Sequence, residues 1–118
     1  MHNLQIGKFG EKLACNYLQG NGYQIINRNQ KIKRLELDII ATKNNLIYFF
    51  EIKTRIKNYE SKREIPLSQR QIKNLKKAAL AYAAIHQIKI ELICFNLMII
   101  LLDNQQNKAN IKIYKNIF

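Results

Sequence analysis

The stretch from Leu35 to Arg55 constrains the fold more than any other part of the chain. It holds two extended apolar runs, Leu35-Glu36-Leu37-Asp38-Ile39-Ile40-Ala41 and Leu46-Ile47-Tyr48-Phe49-Phe50-Glu51-Ile52-Lys53-Thr54-Arg55, joined through Lys43-Asn44-Asn45. Asn tolerates the left-handed backbone that a two-residue hairpin loop demands, so Asn44-Asn45 predicts a tight turn. That turn sets Asp38 opposite Glu51 and Glu36 opposite Lys53. Opposed Cβ atoms on paired strands lie about 4.5–5.5 Å apart, and like charges there repel. Two facing carboxylates persist when a cation lies between them or when one keeps a proton. A divalent metal is the economical solution.

The plainer reading is a solvated strand face, on which Glu36–Lys53 is an ordinary ion pair. Distribution argues against it. The chain has eight carboxylates against twenty Lys and Arg, yet three of the eight sit in these two runs. Asp38 and Glu51 also abut long apolar stretches, as in strands central to a sheet, and Asp is depleted from strands in general. A buried carboxylate pair needs a partner.

The ordered motifs resemble those of the YraN-like family of small bacterial proteins, expected to have the PD-(D/E)xK, restriction-endonuclease-like nuclease fold. The resemblance starts at Ile6-Gly7-x-x-Gly10-Glu11-x-x-Ala14-x-x-Tyr17-Leu18 and passes through Gly22-Tyr23 and Asn27-Arg28-Asn29. It continues into Glu36-x-Asp38-Ile39-Ile40-Ala41, Phe50-Glu51-Ile52-Lys53-Thr54-Arg55 and Ala78-Ala79-x-x-Tyr82, reaching about Phe95. It implies Asp38, Glu51 and Lys53 as the catalytic core, with Glu11 as the acid of the first helix. Three positions depart from the family pattern: Leu35 stands where a Gly is usual, Gln71 where a Lys is expected, and Asn96 where an Asp is expected.

The chemistry implied is metal-dependent phosphodiester hydrolysis. Mg²⁺, with Mn²⁺ as a substitute, prefers oxygen ligands, and Asp38, Glu51 and the Ile52 carbonyl are the candidate ligands. Glu11 would hold a second metal or the attacking water. Lys53, two residues beyond Glu51 on the same strand face, would orient the water or stabilise the transition state. Glu36 and Gln71 are secondary candidates. The expected substrate is DNA, branched or damaged forms included. The alternatives are a nucleic-acid-binding protein that keeps the fold without turnover, and an interaction module whose acids only stabilise a sheet.

At 118 residues the chain predicts a single nuclease-like domain, 1–118. An apolar fraction of 47% supports a packed core, and a net charge of +12 points to a polyanion. Fifteen of the twenty cations are Lys in a chain crowded with Ile and Asn, a bias AT-rich coding also produces, so charge alone adds modestly. Cys15 and Cys94 stand apart without zinc-ligand spacing, and His2 and His86 have no partner spacing. The longest apolar run, Leu92 to Leu102, is broken by Asn96 and falls short of a membrane span. A soluble, cytoplasmic protein is the expectation, with no membrane partner, and a homodimer suits the cutting of two strands.

The expected element order is α-β-β-β-α-β-β, an α/β fold with a mixed sheet flanked by helices. The first helix covers about Gln5 to Gln19, with Phe9, Leu13 and Tyr17 as an apolar stripe and Gly7, Glu11, Ala14 and Leu18 on an adjacent face. Strands follow from Tyr23 to Asn27, Lys31 to Ala41 and Leu46 to Arg55. A loop or lid spans Ile56 to Ile65. Pro66-Leu67-Ser68 opens a helix to about Ile85, with Ser68-x-x-Gln71 as a capping box and Ile72, Leu75, Ala79 and Tyr82 buried. Arg70, Lys73, Lys76 and Lys77 on that helix, with Arg55, form a candidate phosphate rail. Ile90 to Phe95 and Leu97 to Leu102 make one strand or two, and Ile111 to Tyr114 an edge strand.

Overall fold

A computed structural model describes residues 3–56, 67–103 and 105–117. Its elements are α1 (Asn3–Gly20), β1 (Gln24–Ile32), β2 (Leu35–Lys43), β3 (Leu46–Ile56), α2 (Gln69–Ile85), a 3-10 turn (Ile90–Leu92), β4 (Ile93–Asp103) and β5 (Lys108–Tyr114). The five strands form one mixed sheet in the order β1-β2-β3-β4-β5. Hairpins join β1 to β2 and β2 to β3, β4 and β5 pair antiparallel, and β3 runs parallel to β4. A parallel pair needs a crossover, and α2 lies on that connection. The result is the α/β fold expected, with α1 packed on one face of the sheet and α2 on the other.

The Asn44-Asn45 turn forms as its chemistry requires: both residues have positive φ, 52° and 64°. It sets Ile39 opposite Phe50 and Ile40 opposite Phe49, the predicted register. Phe49 and Phe50 are both buried but serve opposite faces. Phe50, Ile39 and Ala41 meet Ala14 and Leu18 of α1, whereas Phe49 and Ile40 meet Ala78, Ala79 and Tyr82 of α2. Tyr82 stands edge-on to Phe49 with ring centroids 5.6 Å apart.

Three expectations need correction, and one left open is resolved. Lys31 and Ile32 end β1 and do not begin β2; the turn falls at Lys33-Arg34, where Lys33 takes φ 56° and Ile32 pairs with Leu35. Neither Lys nor Arg advertises a turn. In α1 the Phe9–Leu13–Tyr17 stripe is not the buried one, for Phe9 and Tyr17 are 42% and 40% exposed. The helix turns Ile6, Gly10, Ala14 and Leu18 inward, because small side chains permit a closer approach to the sheet. In α2, Ile72 is only half-buried, and the packed face is Leu75, Ala78, Ala79, Tyr82 and Ala83. Of the two readings of the run around Asn96, the single strand is the one observed, as β4. Asn96 is 3% exposed, and its side-chain oxygen accepts the Asn116 N–H at 3.0 Å. The expected loop after Ile56 and the helix-opening Pro66 lie outside the described residues. Among those described, no helix is long and apolar enough to cross a membrane.

Candidate active site

The main-chain ladder between β2 and β3 extends from Lys43/Leu46 as far as Ile39/Phe50. One residue further, the Asp38 carboxylate takes over: its Oδ2 accepts the Ile52 N–H at 2.9 Å. The alternation of β2 lapses at the same place. Leu37 packs with Ile40 on the α2 side, although Ile39 between them belongs to the α1 side. A side-chain oxygen has replaced a backbone carbonyl, and Asp38 is held in the seam where two strands part.

Glu51 lies on β3 immediately before Ile52, and its carboxyl is hydrogen-bonded to Asp38. Burial first, then this hydrogen bond and the negative charge of Asp38, push the Glu51 carboxyl up to about 9; Lys53 opposes the shift and Glu11 adds to it. The opposed acids predicted from the hairpin are therefore brought together. With the Glu51 carboxyl protonated, their repulsion is relieved.

Glu11 reaches the same region from α1 because of Gly10. A Cβ at Gly10 would collide with Thr54 Oγ1 on β3, so only glycine allows the helix this close. Burial raises the Glu11 pKa, and Asp38 raises it further; Asn29 and Arg28 pull it down and Glu36 adds a small upward push. Asn29 sits on β1 with a left-handed φ of 53°. In the amide orientation that satisfies both neighbours, its Nδ2 donates to Glu11 Oε1 at 3.3 Å and to Glu36 Oε1 at 3.2 Å. Glu36 is exposed and turned toward this amide. The Glu36–Lys53 ion pair suggested by register is absent among the described residues, because the ladder has ended before reaching it.

Lys53 is half-buried and lines two recesses. It shares a groove of about 520 Å³ with Ile6, Gly7, Glu11, Thr54, Arg55 and Ile56. On the α2 side it shares a recess of about 140 Å³ with Glu51, Leu67, Gln71, Asn74 and Leu75. Gln71 has two roles there. It completes the capping box with Ser68, through bonds of 2.9 and 3.1 Å, and it lines the recess beside Glu51. Arg55 is exposed and donates to the Thr54 carbonyl at 2.9 Å. Arg70, Lys73, Lys76 and Lys77 are exposed on α2 and line none of the grooves next to the acids.

Mg²⁺ commonly takes one or two carboxylates and keeps several waters. Asp38 and Glu51, with the Ile52 carbonyl adjacent, are a donor set of that kind, and their shared proton marks a place where a cation would be welcome. Among the described residues no three His, Cys, Asp or Glu side chains converge on one point, so Glu11 stands apart from the pair. Asn29 and the cations around it join this region without having stood out as site residues in the sequence. Their signals were present in the Asn27-Arg28-Asn29 run and in the helical spacing of Lys8, Glu11 and Lys12.

Comparison with known proteins agrees with the motifs. The family model described as Uncharacterised protein family UPF0102 matches residues 10–100. A UPF0102 protein of Syntrophomonas wolfei is 36% identical over 108 residues, covering 92% of this chain and 94% of its own. One from Dictyoglomus turgidum is 32% identical over 119 residues, covering both chains completely. One from Thermodesulfovibrio yellowstonii is 34% identical over 100 residues, covering 81% and 89%. The chain belongs to the UPF0102 family, the family of YraN-like proteins that its motifs resemble.

Proposed function

We propose that this protein is a Mg²⁺-dependent nuclease that hydrolyses phosphodiester bonds in DNA. The observation that carries the reading is the β2–β3 seam, where the Asp38 carboxylate takes the Ile52 N–H at 2.9 Å next to half-buried Glu51, whose carboxyl is pushed up to about 9 by burial and by Asp38. A fold rarely keeps such a pair for stability, because a buried carboxyl next to another acid is costly. Perturbed carboxyls of this kind cluster at functional sites. A bound Mg²⁺ would polarise the scissile phosphate and lower the pKa of a coordinated water.

The chain's own residues have separable tasks. Asp38, anchored by the Ile52 N–H through Oδ2, keeps its other oxygen available as a ligand. Glu51, once ionised, would be the second carboxylate to hold the ion. Lys53 extends from the same strand beside Glu51 and offers positive charge where negative charge develops on the phosphate. Glu11, held by Asn29, would accept a proton from an attacking water. The net charge of +12 suits a polyanionic substrate.

The test has two readouts. Mg²⁺-dependent nicking of DNA is expected to disappear in Asp38→Ala and Glu51→Ala. Mn²⁺ binding, followed by electron paramagnetic resonance without substrate, is expected to disappear with it. A second reading, DNA binding without turnover, draws on two facts: one Asp38 oxygen is already engaged by Ile52, and no third acidic ligand joins the pair among the described residues. Salt-sensitive DNA binding in a protein that neither binds Mn²⁺ nor cuts would select it.

A further inference from the structure

Between α1 and β1 lies a second groove of about 500 Å³, lined by Lys8, Glu11, Lys12, Arg28 and Asn29. Its charge is concentrated. Lys8, Glu11 and Lys12 are the only charged residues of α1, and all three line this one groove. A compositional drift toward Lys would scatter cations around a helix; here they share one face. Lys8 and Lys12 stand four residues apart, a spacing at which like charges destabilise a helix, and Arg28 from β1 adds a third positive charge. One carboxylate, Glu11, lines the groove with them, and Glu36 meets its Asn29 from outside the lining. Three cations against one lining acid suit an anion.

The groove also has a direction. Glu11 lines both this groove and the one containing Lys53 and Arg55. The two meet at Glu11, with three cations on one side of it and two on the other. Backbone phosphates of one strand laid along this course would pass over Glu11. Arg70, Lys73 and Lys77 belong to the opposite face of the sheet and do not lie on it.

We propose that the α1–β1 groove formed by Lys8, Lys12 and Arg28 seats the backbone phosphodiesters of the DNA strand on one side of the acids, so that the strand runs along the α1 face. This deepens the nuclease reading and rests on it for the identity of the ligand. A guanidinium such as that of Arg28 suits phosphate oxygens, and backbone contacts of this kind position a duplex or strand without reading its sequence.

The test is binding, kept separate from cutting. Fluorescence anisotropy with a labelled DNA oligonucleotide in chelator compares the wild type with Lys8→Ala/Lys12→Ala and with Lys89→Ala/Lys115→Ala, which removes the same charge from exposed positions outside the groove. The groove variant is expected to lose about tenfold in affinity at moderate salt, and its salt slope is expected to fall by about one to two. The control variant is expected to stay within about twofold of wild type. Equal losses in the two variants would reduce the effect to bulk charge and overturn the proposal. Binding that depends on a 5′-phosphate would also overturn it, since a terminal phosphomonoester and not the backbone would then be the ligand. Absence of metal-dependent cutting with these binding results intact would count against the nuclease reading alone.

Discussion

Replacing Glu51 by Gln ought to stabilise the metal-free protein while abolishing its response to metal. Most single substitutions destabilise, so the sign is diagnostic. In the folded chain the Glu51 carboxyl is raised from 4.5 to about 9. Between those values the native state holds one proton more than the unfolded state, and stability falls as pH rises, by about 1.4 kcal/mol per unit. Below about 4.5 both states are protonated and the group imposes no penalty; above about 9 both are ionised and the loss is complete. Near pH 7.5 the penalty is about 4 kcal/mol at most, and relaxation of the side chain toward water reduces it to about 2–4 kcal/mol. Gln is close in shape to a protonated Glu and keeps a donor for Asp38 without the ionisation penalty. Glu51→Gln is therefore expected to raise the melting temperature in chelator by roughly 5–15 °C near neutral pH, with the gain shrinking toward about pH 5. Wild type should gain stability on adding Mn²⁺, and the variant should not. Calorimetry in buffers of different ionisation enthalpy should show about one proton released per ion bound by wild type below about pH 8. A variant less stable than wild type in chelator, or wild-type metal affinity that ignores pH, would refute the shared-proton account.

Three other substitutions test the supports of the site. Gly10→Ala puts a methyl into Thr54 and is expected to cost about 1–3 kcal/mol in chemical denaturation; the paired change Gly10→Ala/Thr54→Ser should recover part of it. Asn96→Ala removes the acceptor for the Asn116 N–H, at about 1–3 kcal/mol, with faster hydrogen exchange at Asn116 and Ile117. Asn29→Gly keeps the left-handed backbone but loses the amide that lowers the Glu11 pKa, so carbonyl-carbon NMR titration should find that carboxyl raised further. Asn29→Ala should be less stable than Asn29→Gly by about 1 kcal/mol, because a Cβ strains the positive φ.

What could be read in advance was local chemistry with one solution. Asn44-Asn45 admits a tight turn, the turn dictates the register, and the register brings Asp38 to Glu51. Ser68-x-x-Gln71 caps α2 for the same kind of reason. Features decided by tertiary fit were not legible. Phe9, Leu13 and Tyr17 have a helical period, but two other factors choose which face of α1 is buried: the space Thr54 leaves for Gly10, and the packing of Ala14 and Leu18 against Phe50. Asn96 interrupts an apolar run on paper, yet in space it meets a backbone N–H from the C-terminal segment. Lys33-Arg34 turns because its flanks pair, against its own preferences.

The acids were legible as a pair, but not as the reason two strands part. A continuous β2–β3 ladder would have placed Glu36 across from Lys53 and tied the catalytic candidate into an ion pair. Instead the Asp38 carboxylate takes the Ile52 N–H, the ladder stops, and both side chains are freed: Glu36 toward Asn29, Lys53 toward the two recesses on either side of the sheet. One misplaced acceptor thus opens the seam and fixes one oxygen of the candidate ligand. It also leaves Lys53 near the phosphate it would serve. Local rules of strand pairing are broken where a site is expected to be built. Asp38→Asn offers a way to separate these effects. Its amide oxygen can still accept from Ile52, so the seam and the exposure of Lys53 should persist while metal affinity falls. If Asp38→Asn instead restored amide protection along Leu37 and Lys53, the carboxylate charge and not its geometry would be what holds the strands apart.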